Sequence, residues 1–429
     1  MSLPKDLSEL VGANIITDKT ALEITAYYKQ KQLSSPNRQL LLFGILGALL
    51  VGIGVMFIIA NQWDALPLSV KTTCAFLLLV VPQLLCGYVL LNKQDKIVWR
   101  ESTALLLFFA VGANISLVSQ IYHINGEPAI FFLTWILLTG PLIYLLNSSA
   151  VSVAYLFLSM MYCLSARFNA TFPYEDSIFW LLVLLPLPHY LRLIRQSPDN
   201  FLSVLHHWMI PYVLTQTFFT LGLHAKVLLH PGYMLLFAVF CYIGSLPFLK
   251  NRPLQHNGYL VFGFAGTIIS LLVMTFQSPW KKMTAQTLSF SELLLTTEFA
   301  ACLVLFALAA YLLYLKNKEN PLFEWQLTDV AWMLYIPVFI LGVWATTLSV
   351  ILMNLLVFVF GLLMLRDGSR KSHLGVLNTG MLVIALLAVC RSFDTEITFA
   401  VKGIMFVLVG IGFFATNWLI IKKRKENEA

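Results

Sequence analysis

Fourteen long apolar runs, separated by short polar connections, limit what this chain can fold into. A helix needs about 20 apolar residues, within roughly 17 to 25, to cross the hydrocarbon core of a bilayer. Only 11% of the 429 residues are charged, whereas soluble domains carry about 25%, so there is too little polar surface for a water-soluble fold. The sequence therefore predicts an all-α, polytopic transmembrane helical bundle of about 14 helices. The predicted spans are residues 40–60, 71–91, 103–119, 129–146, 150–166, 177–195, 207–223, 231–249, 258–276, 297–315, 328–345, 347–365, 374–391 and 397–421.

One helix boundary rests on length alone. No charged residue lies between Asp329 and Arg366, so charge does not divide this stretch. A single helix over residues 328–365 would be too long for one membrane crossing. We therefore place a break near Ala345 and Thr346.

The first 38 residues differ from the apolar body that follows. They are polar, and their leucines follow the spacing of an amphipathic helix, so we predict a cytoplasmic helical hairpin whose second helix starts at Thr17 or Thr20. No short basic region leads into an apolar stretch with a small-residue cleavage site, which argues against a cleaved signal peptide. The predicted parts of the chain are the hairpin 1–38, the transmembrane helical domain 39–421 and a basic cytoplasmic tail 422–429.

Basic residues alternate from one connection to the next. If the N-terminus is cytoplasmic, the cytoplasmic segments hold 21 of the 28 Lys and Arg residues. Such an excess sets the orientation of membrane proteins, and an odd number of crossings would put the basic tail outside. We therefore predict cytoplasmic N- and C-termini, and the net charge of +7 needs no nucleic-acid partner to explain it.

Three connections on the predicted outer face hold a concentration of polar side chains. Ionisable groups at membrane depth are costly unless paired or hydrated, and they often mark substrate or proton paths. If the three connections converge, they form an outward-facing polar site. Each residue also fits an interfacial role, such as Trp63 in an aromatic belt, Asp64 as a helix cap, or Arg391 paired with Asp394. The candidate residues are Asn61, Trp63, Asp64, Gln120, Tyr122, His123, Glu127, Arg391, Asp394 and Glu396.

The motif content argues against several other kinds of site. His123, His224 and His230 fall on the predicted outer face, but the chain has no H-x-x-x-H, no H-E-x-x-H and no Cys/His cluster, so we expect no metal site. Neither a P-loop nor a dinucleotide-binding glycine motif occurs, and we expect no cofactor and no nucleotide-driven transport by this chain alone. His206 and His207 are interpreted as an interfacial pair at the cytoplasmic start of the seventh helix.

Glycines are concentrated in the first and last predicted helices. Small residues allow transmembrane helices to approach closely, so we expect both helices to be buried by helix packing. The glycines concerned are Gly44, Gly47, Gly52, Gly54, Gly403, Gly410 and Gly412.

Several segments resemble a bacterial family of polytopic membrane proteins whose domain has no known function. They are LVGANIITDKTALEITAYY near the N-terminus, IIANQWDALP after the first helix, VSQIYHINGE after the third, and a similar ending from RSFDTEITF onward. The family is characterised by an N-terminal helical hairpin, an N-W-D-x-x-P turn and a Q-I-Y-H turn. In this chain Gln62 is inserted in the first of these turns. The resemblance implies a multi-pass protein of the bacterial inner (cytoplasmic) membrane and assigns no activity.

Three functions remain open from the sequence. The first is a transporter- or flippase-like protein that moves a lipid, sugar or small solute, with the outer polar residues as its site. The second is a membrane scaffold or assembly partner that binds a cytoplasmic protein through residues 1–38. The third, ranked last, is an enzyme acting on a lipid-linked substrate, with Asp64 as a base. The lipid bilayer is the partner in all three.

Overall fold

The computed structural model is helical wherever it has regular structure, and no strand occurs in the part of the chain that it describes. Inside hydrocarbon every backbone N–H and C=O must find a partner within the protein, and a helix satisfies this requirement along its whole length. The described residues are 7, 10–13, 15–25, 42–47, 49–51, 53–54, 57, 67–169, 177–198, 200–222, 224–250, 252–284, 290–318, 327–370, 373–392, 398–404, 406–408, 410–412 and 414.

The main helices between residues 68 and 392 are α1 Leu68–Asn92, α2 Ile97–Ile121, α3 Pro128–Thr139, α4 Leu142–Leu145, α5 Ser149–Asn169, α6 Ile178–Leu184, α7 Leu187–Gln196, α8 Phe201–Thr217, α9 Leu229–Gly244, α10 Gly258–Val273, α11 Thr297–Asn317, α12 Leu327–Leu341, α13 Thr346–Arg370 and α14 Leu374–Ser392. Short helical segments occur at Phe218–Leu221, Lys226–Leu228, Pro247–Lys250, Leu254–His256, Gln277–Thr284 and Phe290–Leu294. Outside this range, residues 10–12, 18–25, and most of 42–57 and 399–414 are also helical.

The predicted helical membrane fold is confirmed. Every predicted span coincides with a helix in the described part of the chain, and nine helical segments there are long and apolar enough to cross a membrane. The break expected near Ala345 is also present, because α12 ends at Leu341 and α13 begins at Thr346.

The chain divides into two compact units, unit 1 (1–209) and unit 2 (210–429). The core of unit 1 is built on α2, α3 and α5 and includes Phe108, Trp135, Ile136 and Tyr155. The indole of Trp135 donates to the carbonyl of Phe108 at 2.8 Å. A Cβ at Gly112 would lie 2.4 Å from the Trp135 ring. The missing side chain at residue 112 is therefore what lets Trp135 pack against α2.

The core of unit 2 is larger and contains two close helix–helix approaches. A Cβ at Gly263 of α10 would lie 2.6 Å from the backbone nitrogen of Cys241 in α9. A Cβ at Gly380 of α14 would lie 2.9 Å from the carbonyl oxygen of Gly361 in α13. Both approaches bring backbones together across small residues, as is common between transmembrane helices.

These close approaches do not involve the glycines singled out from the sequence. Among the described residues, nothing lies within 4 Å of a Cβ built at Gly47, Gly54, Gly403, Gly410 or Gly412. The expectation that the first and last helices are buried is wrong for their described residues, since large apolar side chains there are exposed. Gly44 is the exception, because a Cβ there would meet the Ser102 hydroxyl at 2.5 Å. Small residues permit close packing but do not show that a partner helix is present.

At the N-terminus a helical run begins at residue 18. The hydroxyl of Thr17 accepts from the backbone N–H of Thr20 at 3.3 Å, which is the role of an N-cap residue. Of the two starts considered for this helix, the cap is therefore at Thr17. The larger part of the predicted hairpin 1–38 lies outside the described residues.

The predicted sidedness can be tested at two exposed connections. In a cysteine-free background, we expect Asn125→Cys, between α2 and α3, to react with a membrane-impermeant maleimide added to intact cells. Asp95→Cys, between α1 and α2, should react only after permeabilisation, because the two connections lie at opposite ends of α2. Both side chains are exposed, so burial does not limit labelling. The reverse pattern would contradict a cytoplasmic N-terminus.

Candidate functional site

The candidate residues after α2, which the sequence predicts on the outer face, form an exposed turn. The side chains of residues 122–126 are exposed, and Gln120 precedes them in the last turn of α2. His123 has a φ of 49°, in the left-handed region that is uncommon outside glycine. The hydroxyl of Ser119 closes the turn by donating to the carbonyl of Ile124 at 2.7 Å. Tyr122 and His123 therefore face outward from the protein, and the half-buried Glu127 lies directly before α3.

Arg391 is fixed by groups of unit 2. Its guanidinium donates to the hydroxyl of Thr275 at 3.2 Å and lies over the ring of Phe276, 4.6 Å from the centroid. The carbonyl of Thr275 also accepts from the amide of Asn354 at 3.1 Å. Five further candidates lie outside the described residues, so the convergence of the three outer connections stays a prediction. They are Asn61, Trp63, Asp64, Asp394 and Glu396.

A buried polar network lies at the other end of α2. Glu101 is 1% exposed, and its carboxylate accepts from the hydroxyl of Ser148 and from the backbone N–H groups of Ser149 and Ala150, the latter two at 3.0 and 2.9 Å. Ser148 in turn accepts from the N–H of Val151 at 3.2 Å. The three amides of residues 149–151 are therefore all satisfied at the start of α5.

This arrangement is a helix N-cap supplied partly from another helix. The first N–H groups of a helix have no partner within it, and its N-terminus attracts negative charge. The residue before the cap, Asn147, has a φ of 45°, a conformation that Asn tolerates better than most residues. The carboxylate of Glu101 thus compensates both the unpaired amides and the dipole of α5.

Histidines from two further helices extend the network. The Nε2 of His189 in α7 lies 3.0 Å from the hydroxyl of Ser149. His206 in α8 contacts the carbonyl of Leu202 through Nδ1 at 2.7 Å and the hydroxyl of Ser152 through Nε2 at 2.9 Å. A carbonyl only accepts, so Nδ1 of His206 carries a hydrogen, and in the neutral ring Nε2 accepts from Ser152. The ring of Tyr190 stacks on His206 with 5.6 Å between centroids.

Sequence reasoning misread this network in two ways. The third span was started at residue 103, which left Glu101 in a connection, whereas α2 begins at Ile97. His206 and His207 were interpreted as interfacial, but both are fully buried, because the hydroxyl of Ser152 and the ring of Tyr190 provide polar and aromatic partners for them. The Ser148-Ser149 pair before an apolar run was the available signal, since Ser is a preferred N-cap.

The network does not have the geometry of a nucleophile–base–acid triad. In such a triad the acid binds the ring nitrogen that faces away from the nucleophile. Here Glu101 accepts from Ser148 and from two amides. The Nδ1 of His189 has no hydrogen-bond partner among the described residues. The arrangement can hold a charge and exchange hydrogen bonds, and it does not orient Ser149 for attack.

Two helix breaks lie beside the network. Gly140 and Pro141 separate α3 from α4, and Leu185 and Pro186 separate α6 from α7. The hydroxyl of Tyr144 donates to the carbonyl of Leu185. Pro lacks an N–H and cannot continue the helical hydrogen bonding. At the second break the hydroxyl of Tyr144 therefore supplies a hydrogen bond that the backbone does not.

Unit 2 has its own buried charges. Asp329 at the start of α12 pairs with Lys316 at the end of α11 at 2.7 Å, with side chains 1% and 16% exposed. The hydroxyl of Tyr242 donates to the carbonyl of Asp329 at 2.9 Å and accepts from the indole of Trp332 at 2.6 Å. These bonds connect α9, α11 and α12 around one ion pair.

A second carboxylate of unit 2 accepts hydrogen bonds from backbone N–H groups. Glu298 in α11 accepts from the N–H groups of His224 and Ala225 at 2.6 and 2.8 Å. The loop before α9 is therefore held by a charge, much as the start of α5 is held by Glu101. No group of three or more His, Cys, Asp or Glu suited to a metal ion occurs in the described ranges.

Comparison with known proteins identifies one similarity. Residues 8–152 match the model of a family described as "Predicted membrane protein (DUF2157)", a domain of unknown function. The matched segment is about a third of the chain and includes α1–α4 and the start of α5, with Glu101 and Ser148. The resemblance expected from the sequence is thus confirmed over this segment. No curated protein and no solved structure matches the chain.

Removing the Glu101 carboxylate should destabilise the protein. Glu101→Ala leaves two amides and a hydroxyl unsatisfied in a buried site, and each such donor costs about 1–3 kcal/mol. We expect the free energy of unfolding in mixed micelles to fall by about 3 kcal/mol, and less in Glu101→Gln, which keeps one acceptor oxygen. Asp95→Asn is the control, because Asp95 is exposed in the connection before α2. Equal stability of Glu101→Ala and the control would show that the carboxylate does not support α5.

The Lys316–Asp329 pair allows a double-mutant cycle. Lys316→Met removes the cation that lies 2.7 Å from the buried carboxylate of Asp329, and breaking a buried pair in this way typically costs about 3–5 kcal/mol. Adding Asp329→Asn removes the stranded charge, so the double variant should recover most of the loss in the free energy of unfolding. If the double variant instead loses the sum of the stability losses of the two single variants, the two residues are not coupled.

Proposed function

We propose that this protein moves a lipid, sugar or other small solute across the membrane, as a transporter- or flippase-like protein. The observation that carries the proposal is the polar network buried in unit 1. It joins Glu101 of α2, Ser149 and Ser152 of α5, His189 of α7 and His206 of α8. Ionisable side chains in the interior of a membrane bundle commonly mark substrate or proton paths.

The network favours transport over the alternatives. Burying a carboxylate with several histidines is often no better for stability than apolar packing of similar volume, and a scaffold that only docks partners does not require it. An enzyme on a lipid-linked substrate would need a nucleophile or base exposed to that substrate. Ser149 and His189 are buried, and the acid nearest to them binds a helix start.

In this proposal the outward-facing opening of the path comprises the ten residues selected from the sequence. Support comes from the exposed turn after α2, where Tyr122 and His123 face outward. Support for the location comes from the alternation of basic residues and from the family resemblance. We infer a bacterial cytoplasmic membrane, with both termini cytoplasmic and residues 1–38 available to a cytoplasmic protein.

Reconstitution of the full chain tests the proposal in two assays. The first follows dithionite quenching of a fluorescent phosphatidylethanolamine, which reports lipid flipping. The second follows an entrapped pH dye while glucose, alanine or glycerol phosphate is added outside, which reports solute-coupled proton movement. We expect at least one rate to exceed that of protein-free vesicles.

The outer residues are tested in the assay that responds. The triple variant Asp64→Asn, Glu127→Gln, Asp394→Asn should lower the rate about tenfold or more, because it removes the ionisable groups assigned to the opening. Asp95→Asn, an exposed acid at the other end of α2, should keep the wild-type rate. No rate above protein-free vesicles in either assay would overturn transport, and an unaffected triple variant would overturn the outer site.

A further inference from the structure

Two of the buried nitrogen atoms of unit 1 that have no hydrogen-bond partner among the described residues are Nδ1 of His189 and Nε of Arg100. His189 is 3% exposed, so bulk water does not reach its ring. Buried polar atoms without a partner are rare in folded proteins, and each calls for a physical explanation.

The contact between His189 and Ser149 determines what Nδ1 can bind. Nε2 lies 3.0 Å from the Ser149 hydroxyl. When the hydroxyl donates to Nε2, the ring hydrogen is on Nδ1, which is then a donor without an acceptor. Nε of Arg100 is always a donor. With this tautomer of His189 both atoms require an acceptor, which an anion supplies.

The charges around His189 also favour an anion. Arg100 of α2 and Arg192 of α7 both act electrostatically on His189. Arg192 follows His189 by three residues, a spacing that places two side chains on the same face of a helix. Arg192 also acts on Tyr144, next to the helix breaks. Arg100 and the exposed Arg192, on two different helices, therefore both lie within electrostatic range of His189.

The negative charge of Glu101 balances only one of them. Its carboxylate attracts Arg100 but accepts its hydrogen bonds from the start of α5. The other titratable neighbour of His189 is His206, with ring centroids 6.4 Å apart, and it carries no negative charge. One positive charge therefore remains without a counter-charge in this cluster of Arg100, Glu101, His189 and Arg192.

We propose that Arg100, His189 and Arg192 bind a phosphate-bearing group. Guanidinium groups match phosphate oxygens in a two-point geometry, and Nδ1 of His189 supplies one more donor. Basic pockets between transmembrane helices bind lipid head groups on the cytoplasmic side, the side to which the basic-residue pattern assigns this end. The inference that a phosphate-bearing group is the transported substrate rests on the proposed function. The inference that these residues bind such a group does not depend on transport.

A phospholipid head group and a free phosphate share this chemistry, and two measurements on the full chain distinguish them. Calorimetric titration with inorganic phosphate in an uncharged detergent reports the free anion. Native mass spectrometry after release from nanodiscs of phosphatidylglycerol and phosphatidylcholine reports retained phospholipid. Binding in the first measurement identifies phosphate or a phosphorylated solute, and retention only in the second identifies a head group.

Matched variants test the residues. Arg100→Gln and Arg192→Gln should each weaken the observed binding at least about tenfold, because each loses a charge-assisted, two-point contact. His189→Gln should weaken it about threefold, since it loses one hydrogen bond. Arg195→Gln is the control, because Arg195 is exposed and on the same helix, as Arg192 is, but follows His189 by six residues instead of three. Its binding should stay within about twofold of wild type.

Two results would overturn the site. One is wild-type binding no stronger than that of the Arg100→Gln, Arg192→Gln double variant in both measurements. The other is an equal loss in Arg195→Gln, which would indicate general attraction to a basic surface. If the Gln variants do not fold, Arg100→Lys keeps the charge without the two-point geometry. It should then bind more weakly than wild type, and unchanged binding would contradict the inference.

Transport and phosphate binding can fail separately. Flux without phosphate or phospholipid binding would leave the transport proposal standing and remove this inference. Binding that depends on Arg100 and Arg192, without flux in either vesicle assay, would establish the site and remove the transport proposal.

Discussion

The fold depends on one constraint of the bilayer, which is that hydrocarbon offers no hydrogen-bond partner to a peptide group. A continuous helix meets the constraint along its length, but its ends and breaks do not. Among the described residues, three of the side chains that supply the missing partners come from another helix or a distant part of the chain. Glu101 binds the first amides of α5, Glu298 binds the amides before α9, and Tyr144 binds the carbonyl of Leu185. The first role of these buried polar residues is therefore to hydrogen-bond backbone groups at helix ends and breaks.

The same placement creates chemistry that the backbone does not require. Once Glu101 is fixed against α5, Ser149 at the start of that helix is directed toward His189, and positive charge gathers around the network. In unit 2 the Lys316–Asp329 pair similarly brings Tyr242 and Trp332 into one cluster. Among the described residues each unit thus contains a charged cluster near its helix ends, and the cluster of unit 1 includes nitrogen atoms without a hydrogen-bond partner there.

Local sequence predicted the helices well, because the length and polarity of each span are properties of consecutive residues. The break between α12 and α13 followed from span length alone. The network around Glu101 did not follow, since its contact with Ser148 joins residues 47 positions apart, and no local pattern encodes such a pairing. The glycine interpretation failed for a related reason: Gly410 is a small residue of the kind found at helix contacts, but a Cβ there would meet none of the described residues within 4 Å. Exposure of Tyr122 and His123 was predictable, while convergence of the outer connections depends on tertiary placement.

The break between α6 and α7 has a consequence for how the chain enters the membrane during synthesis. α6 has seven residues, about 10 Å of helix, and α7 carries Arg192 and Arg195. Neither half is long and apolar enough to insert alone, whereas Ile178–Gln196 together form a 19-residue span. The segment is therefore long enough to cross the bilayer only as one unit, with the break at Pro186 inside it. Tyr144 precedes this segment in the chain, so the partner for the Leu185 carbonyl is synthesised before the break that needs it.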